Sequence, residues 1–405
     1  MDYDVIIAGG GLNGSALALA LASAGLEVAV VDPLPVEARV DPGFDGRSYA
    51  LALASQRLLG ALGLWEGLAA QAQPILEIKV SDGRAGEGPS PFVLEFDHAE
   101  IEEGPMGFLV EDRHLRRALL DALTGAGVTH VSGARIAGHM PGPAGVEVSL
   151  EGARALHARM LVGADGAASA TAQRAGVKRT GWEYGQTALV AAVAHAYPHR
   201  GIAHQFFMPA GPLAILPLTG DRCSIVWTET DAEAARIQAL DDAGYLAELR
   251  PRFGGFLGGI ELAGARFTYP LGLSLAQSFV ADRVALIGDA AHRVHPIAGQ
   301  GLNAGLKDVA ALAEVLTLAM RRGEDIGRAD VLERYQAWRR FDVAALAAAT
   351  DGFNRLFSND LGGLRVTRDL GLAAVNALPG VRRGFIREAA GLTGDLPRLL
   401  QGEIL

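Results

Sequence analysis

"IIAGGGLNGSALALALASAGLEVAVVDP" spans residues 6–33. Its first residues are a continuous apolar run ending in glycines, the pattern of a buried parallel strand. Gly9-x-Gly11-x-x-Gly14 follows. In such a spacing the first glycine permits a tight turn, the second lets backbone approach a pyrophosphate, and the third lets helix pack on strand. The alanine-rich run after it reads as a helix closed by Gly25, with its N-terminal amides and dipole facing the phosphates. "LEVAVVD" is then a second strand. Asp32 ends it, about 20 residues past the glycines, where a carboxylate can accept from ribose hydroxyls. The stretch predicts a dinucleotide-binding βαβ unit and leaves NAD and FAD unseparated.

Two later motifs bear on the ligand. "ARMLVGADGAAS" (158–169) reads as a strand entering a turn, with Asp165 at its end. By itself it is an ordinary Asp-Gly turn. "DRVALIGDAAHRVHPIAGQGLNAGLKDVAALAEVL" (282–316) is a buried strand ending in Gly288-Asp289, then a glycine-rich loop opening a long helix. That arrangement offers a carboxylate to a polyol and helix-terminal amides to an electron-rich ring edge. A second strand–turn–helix so far along the chain points to one long ligand held from both ends.

The three ordered motifs resemble those of the class A flavoprotein monooxygenases, the para-hydroxybenzoate hydroxylase-like family. The resemblance implies FAD, with NAD(P)H as co-substrate and hydroxylation through a C4a-hydroperoxyflavin. It places Gly9, Gly11, Gly14 and Asp32 at the ADP half. Asp165 belongs to the mid-chain motif, Gly288-Asp289 to the ribityl or pyrophosphate region. Pro296, Gly299, Gln300, Gly301 and Asn303 border the isoalloxazine, and Arg47 matches an arginine beside the flavin. Within that family the chain is most similar to the polyprenyl-phenol hydroxylases of ubiquinone biosynthesis, through "FDGRSYALALASQRLLGALGLW" (44–65), "GWEYGQTALVAAVAH" (181–195), "PHRGIAHQFFMPAGPLAILPL" (198–218) and "GLTGDLPRLLQGE" near the end. The implied partners are a polyprenyl phenol, O2 and other proteins of that pathway. One position departs from the pattern. The family's DGxxSxxR has Ser169 in place, but Ala172 stands where the arginine is expected, with Arg174 nearby. The family associates this region with docking of the reduced nicotinamide.

Composition agrees with a cytoplasmic enzyme. Half of the 405 residues are hydrophobic and the net charge is −10, with no dense Lys/Arg block of the kind a nucleic-acid binder carries. Cys223 is the single cysteine. It lies in a strand-like run and reads as a buried, inert thiol in a reducing compartment. The first strand starts too early for a signal peptide, and no apolar run reaches the roughly 20 residues that span a bilayer. No metal site is expected.

The expected fold is α/β (α+β). A discontinuous, Rossmann-like FAD-binding domain takes residues 1–70, 100–180 and 276–345. Residues 128–166 read as a strand meander returning to its sheet. Residues 71–99 and 181–275 alternate in the manner of an antiparallel sheet and form the substrate domain, with "SDGRAGEGPSP" (81–91) as a loop between strands. Residues 346–405 form a helical C-terminal region. There Val366, Leu370, Ala373 and Ala377 make an apolar stripe, with Arg365, Asp369 and Asn376 away from it. Five arginines between Gly362 and Ala390 outnumber Asp369 and Glu388. This tail is the candidate for peripheral contact with the inner face of a membrane, or for docking a partner.

No catalytic base is singled out. His195, His199, His204, His292 and His295 lie near the motifs, and His292 and His295, flanking Pro296, are the best of them. Two other readings stay open: a flavin-dependent prenyl reductase of the same fold, and a non-catalytic FAD-binding scaffold.

Overall fold

The computed structural model describes residues 1–90, 92–152, 154–358, 371 and 375–405. Its first sheet is built around the strand Tyr3–Ala8. Val5, Ile6 and Ile7 are fully buried because both faces of this strand are covered. The strand pairs in parallel with Val28–Asp32 on one side and Leu156–Gly163 on the other. Thr129–Ser132 and Val284–Leu286 extend the parallel set. Ile136–Pro141, Val146–Leu150 and Leu156–Gly163 run antiparallel in turn, the meander expected from the sequence. The first helix, Leu12–Ser23, is apolar on every side and buried from Leu12 to Leu21 apart from Asn13. Such a helix must be enclosed by other elements. The sheet lies on one side of it, and the long helix Gln300–Arg321 packs against it.

The second sheet orders its main strands as His292–Arg293, Phe267–Ala276, Arg179–His195, Arg222–Thr230, Gly211–Leu218, Ile202–Met208, Glu77–Arg84 and Gly88–Pro89. It is antiparallel except where Ile202–Met208 runs parallel to Glu77–Arg84. Side chains alternate between its faces. On one face Leu213, Ile225 and Trp227 pack against Tyr245, Leu249 and Phe253, from the helix Asp242–Phe253. That helix and Asp231–Gln238 lie within a region read as sheet alone. The opposite face fronts the cavity described below.

A third sheet corrects part of the expectation for residues 71–99. Ala72–Ile75 pairs with Gly107–Glu111, which pairs in turn with Ser48–Ala52. The expected loop at 81–91 is mostly strand. Ser81 and Asp82 pair with Phe206 and Phe207, and Gly83 with Pro89, leaving a short turn at 85–87. Sheet neighbours satisfy this backbone, which overrides its turn-forming composition.

The C-terminal region starts inside an element. The helix Ala329–Phe357 is continuous across residues 345 and 346, and Tyr335 donates from its hydroxyl to the Leu286 carbonyl at 2.8 Å. The chain ends with Leu399 and Leu400 in the first core. Val366, Leu370 and Ala373 of the expected stripe, with Arg365, Arg368 and Asp369, lie outside the described residues. The helix Pro379–Ala389 is described. Arg382 pairs with Glu100 at 2.8 Å and Arg387 with Glu103 at 2.7 Å, so two of the tail's positive charges are answered within the chain. Among the described residues no helix is long and apolar enough to cross a membrane.

Candidate active site

The glycines of the first motif do different work. A Cβ on Gly14 would lie 2.0 Å from the Gly9 carbonyl oxygen, and one on Gly9, at φ +105°, 2.5 Å from the Ala164 oxygen. Both positions are closed by protein. A Cβ on Gly11 meets nothing within 4 Å, so that glycine borders open space. Asp32 Oδ2 accepts from the Gly10 amide at 2.7 Å and Oδ1 from Leu34 N at 2.8 Å. Each oxygen keeps a lone pair for a further donor. Buried Arg39, which the sequence did not single out, donates to the Gly10 carbonyl at 3.0 Å and braces the loop from beneath.

The mid-chain motif packs against this loop through its backbone. Ala164 N donates to the Ala8 carbonyl at 2.8 Å. The Asp165 carboxylate turns onto its own helix, accepting from Ser169 Oγ at 2.5 Å and from Thr171 N and Oγ1 at 2.9 Å. Ala172 is buried in the core and Arg174 is exposed.

The third motif meets the first at Asn13. A Cβ on Gly288 would lie 2.4 Å from Asn13 Nδ2, and one on Gly305 2.2 Å from it. Two glycines, 17 positions apart, thus admit one side chain from the first helix. Neither that helix nor Gln300–Arg321 has a side-chain cap at its N-terminus. Asp289 is exposed, yet desolvation pushes its carboxyl above the ordinary range, against the pull of His292, Arg293 and Arg179.

His292 is not directed at a reacting group. Its Nε2 lies 2.5 Å from Asp308 Oδ2, which also accepts from Gly288 N at 2.9 Å, while Oδ1 accepts from Arg339 Nε at 2.8 Å. Burial alone would raise the Asp308 carboxyl; His292 and Arg339 outweigh it and hold it low. His295 is fully buried, 5.4 Å from the Tyr184 ring, and burial lowers it to about 4.

A cavity of about 890 Å³ opens beside Pro296, Gly299, Gln300, Gly301 and Asn303. Gly299, at φ +66°, starts the long helix in the left-handed region, and a Cβ there would lie 2.9 Å from Ala50 Cβ. Asn303 is saturated. It accepts from Ala52 N at 2.9 Å and Ser55 Oγ at 2.8 Å, and donates to the Ala50 and Gly299 carbonyls. It fixes the loop to the third sheet. Arg47 borders the cavity, held by Asp45 at 2.6 Å and Asp112 at 3.6 Å. The far wall is apolar, with Phe207, Leu216, Phe353, Phe357 and Phe385 among its residues. Of the five candidate histidines only His204 borders this cavity, and strand alternation turns its ring to the opposite face, 4.5 Å from Phe256. Neither His292 nor His295 lines it. Cys223 is buried, its thiol pushed up to about 12 by desolvation, as expected of an inert cysteine.

These donors fit FAD. Two helix N-termini without side-chain caps meet across Asn13, open space lies at Gly11 and Gly301, and Asp289 follows Gly288 at an exposed position. Asn13, Arg39, Asp308 and Arg339 escaped sequence reading; the signal for the charged pair was an acid and a base within otherwise apolar helical faces.

Known proteins agree with this geometry. The FAD binding domain family matches residues 2–350. The ubiquinone hydroxylase UbiL of Rhodospirillum rubrum is 45% identical, over 98% of this chain and 92% of that protein. The 3-demethoxyubiquinol 3-hydroxylase of Escherichia coli is 36% identical, over 96% and 98% respectively. In structure, the p-nitrophenol 4-monooxygenase PnpA from Pseudomonas putida DLL-E4 superposes with a TM-score of 0.81 at 21% identity, covering 96% of this chain and 98% of that one. The chain belongs to the FAD binding domain family, and within it to the FAD-dependent monooxygenases.

Proposed function

We propose that the chain hydroxylates the ring of a polyprenyl phenol on the route to ubiquinone. The phenol, O2, NAD(P)H and a proton become the hydroxylated phenol, water and NAD(P)+. The supporting observation is the cavity itself. It begins beside Pro296–Asn303 and continues along apolar sheet and helix surface, and its volume of about 890 Å³ is larger than a lone phenol ring needs. Buried apolar surface contributes roughly 25 cal/mol per Å², so a prenyl tail would supply most of the affinity.

FAD, when bound, supplies the redox chemistry. The chain's residues place and shield it. In this reading Gly11 and the first helix take the pyrophosphate, Asp32 the ribose, and Asp289 the ribityl side. Amides at Gln300 and Gly301 stabilise negative charge at the ring edge. Arg47 sits at the cavity's polar end, and the apolar wall excludes water. Asp165 acts through its own turn and Asn303 through the loop it fixes. Exposed Leu378, Val381 and Arg383 stand beside cavity-lining Phe385, Ile386 and Ala389. We place contact with the substrate's membrane, or with a lipid-carrying partner, on this face.

The test is complementation of bacterial strains lacking individual ring hydroxylases, with accumulated intermediates identified by mass. Restoration of one hydroxylation supports the reading and assigns the ring position. Restoration of none, by a soluble FAD-loaded protein, contradicts it.

A further inference from the structure

We propose that the side-chain amide of Gln205 recognises the oxygen substituent of the substrate ring, and so separates phenols from prenylated hydrocarbons. This rests on the polyprenyl-phenol reading above. On the strand Ile202–Met208, alternation sends Ala203, Gln205 and Phe207 to the cavity face. In register, Gln205 lies between Val80 and Ala214, with Val226 one strand further on. All three are apolar and line the cavity. Polar side chains on that face are few: Gln205, Ser224 and, near the rim and 44% exposed, Tyr269.

The Gln205 Nε2 is shielded from solvent and has no hydrogen-bond partner among the described residues. A buried amide without a partner is costly, and a ligand that supplies the partner recovers that cost. Gln186, on the long strand Arg179–His195 three places along the sheet, shows the contrast: its Nε2 donates to the Ala210 carbonyl at 2.6 Å and its Oε1 accepts from Asn354. A carboxamide both donates and accepts, matching a hydroxyl group, and it carries no charge that would need neutralising in an apolar wall. Because Gln205 ties no neighbouring element among the described residues, its replacement by an apolar residue of similar size removes no hydrogen bond to them.

The test uses the full-length, FAD-loaded protein with two probes, 2-geranylphenol and geranylbenzene, followed by perturbation of flavin absorbance. The wild-type protein is expected to favour the phenol by about tenfold, the worth of one buried hydrogen bond. Gln205→Leu and the less branched Gln205→Met should each erase that preference by weakening phenol binding alone, with FAD content unchanged. In turnover, the same variants should release more H2O2 per phenol hydroxylated. Equal weakening of both probes, or a preserved preference in both variants, overturns the assignment. A wild-type protein that binds both probes equally also overturns it but leaves the apolar-cavity reading standing. A wild-type protein that binds neither removes that reading as well.

Discussion

His292 and Asp308 are joined by a 2.5 Å hydrogen bond in a fully enclosed setting, with Arg339 on the second carboxylate oxygen. The same carboxylate accepts the Gly288 amide, so one charge fixes the turn that presents Asp289. Asp308→Asn should therefore act on stability and FAD retention together. Removing one member of a buried ion pair costs about 3–5 kcal/mol. The low end is expected, because Asp342 still pairs with Arg339 at 2.5 Å. Denaturant unfolding of the holoprotein measures it. Since Asp308 is held below its ordinary range, its contribution is present above that range and disappears as pH falls through the depressed value. The variant should thus lose the steepest acid limb of the stability curve.

Two glycine substitutions should separate scaffold from ligand contact. Gly14→Ala drives a Cβ against the Gly9 carbonyl, so the apoprotein should be destabilised. Gly11→Ala meets nothing in the protein and should leave apoprotein melting unchanged while weakening FAD. Equal effects on both apoproteins would show that Gly11 serves packing and not the phosphates.

Asp289→Ala should weaken FAD by about 1.5–3 kcal/mol, the range for a charge-assisted hydrogen bond. Desolvation raises this carboxyl, so its protonation begins at higher pH than for an ordinary aspartate near 4. FAD affinity should fall as pH drops through that raised value, and Asp289→Asn should flatten the dependence. Flavin fluorescence release between pH 4 and 8 provides the readout.

Reversing Arg382 and Arg387 would break their pairs with Glu100 and Glu103, so they are poor tests of docking. Arg383→Glu with Val381→Ser changes exposed positions off the cavity wall instead. The expected result is weaker association with anionic liposomes and an unchanged melting temperature. Unaltered liposome binding would remove this face from the proposal.

The glycine turns could be read from sequence because close approach of neighbouring protein atoms imposes glycines at fixed spacing. Gly9, Gly14, Gly288 and Gly299 each adjoin an atom a side chain would strike. Asp308 was hidden because a lone acid in a helix looks like a solvated face until its partners, 16 positions before and 31 after, are brought to it. The third sheet joins segments far apart in the chain, which no local pattern reports. His292 attracted attention by its closeness in sequence to Pro296, but its ring is committed to Asp308. Gln205 gave no local signal: its meaning comes from the apolar residues of neighbouring strands.

The most direct measurement is turnover of a prenylated phenol under isotopically labelled ¹⁸O2, with FAD-loaded protein and NAD(P)H, followed by mass analysis of the product. One labelled oxygen atom is expected in each hydroxylated ring, with one NAD(P)H consumed per product. NAD(P)H consumed with the prenyl chain reduced and no label in the ring, or a hydroxylated product whose new oxygen is unlabelled, would contradict it.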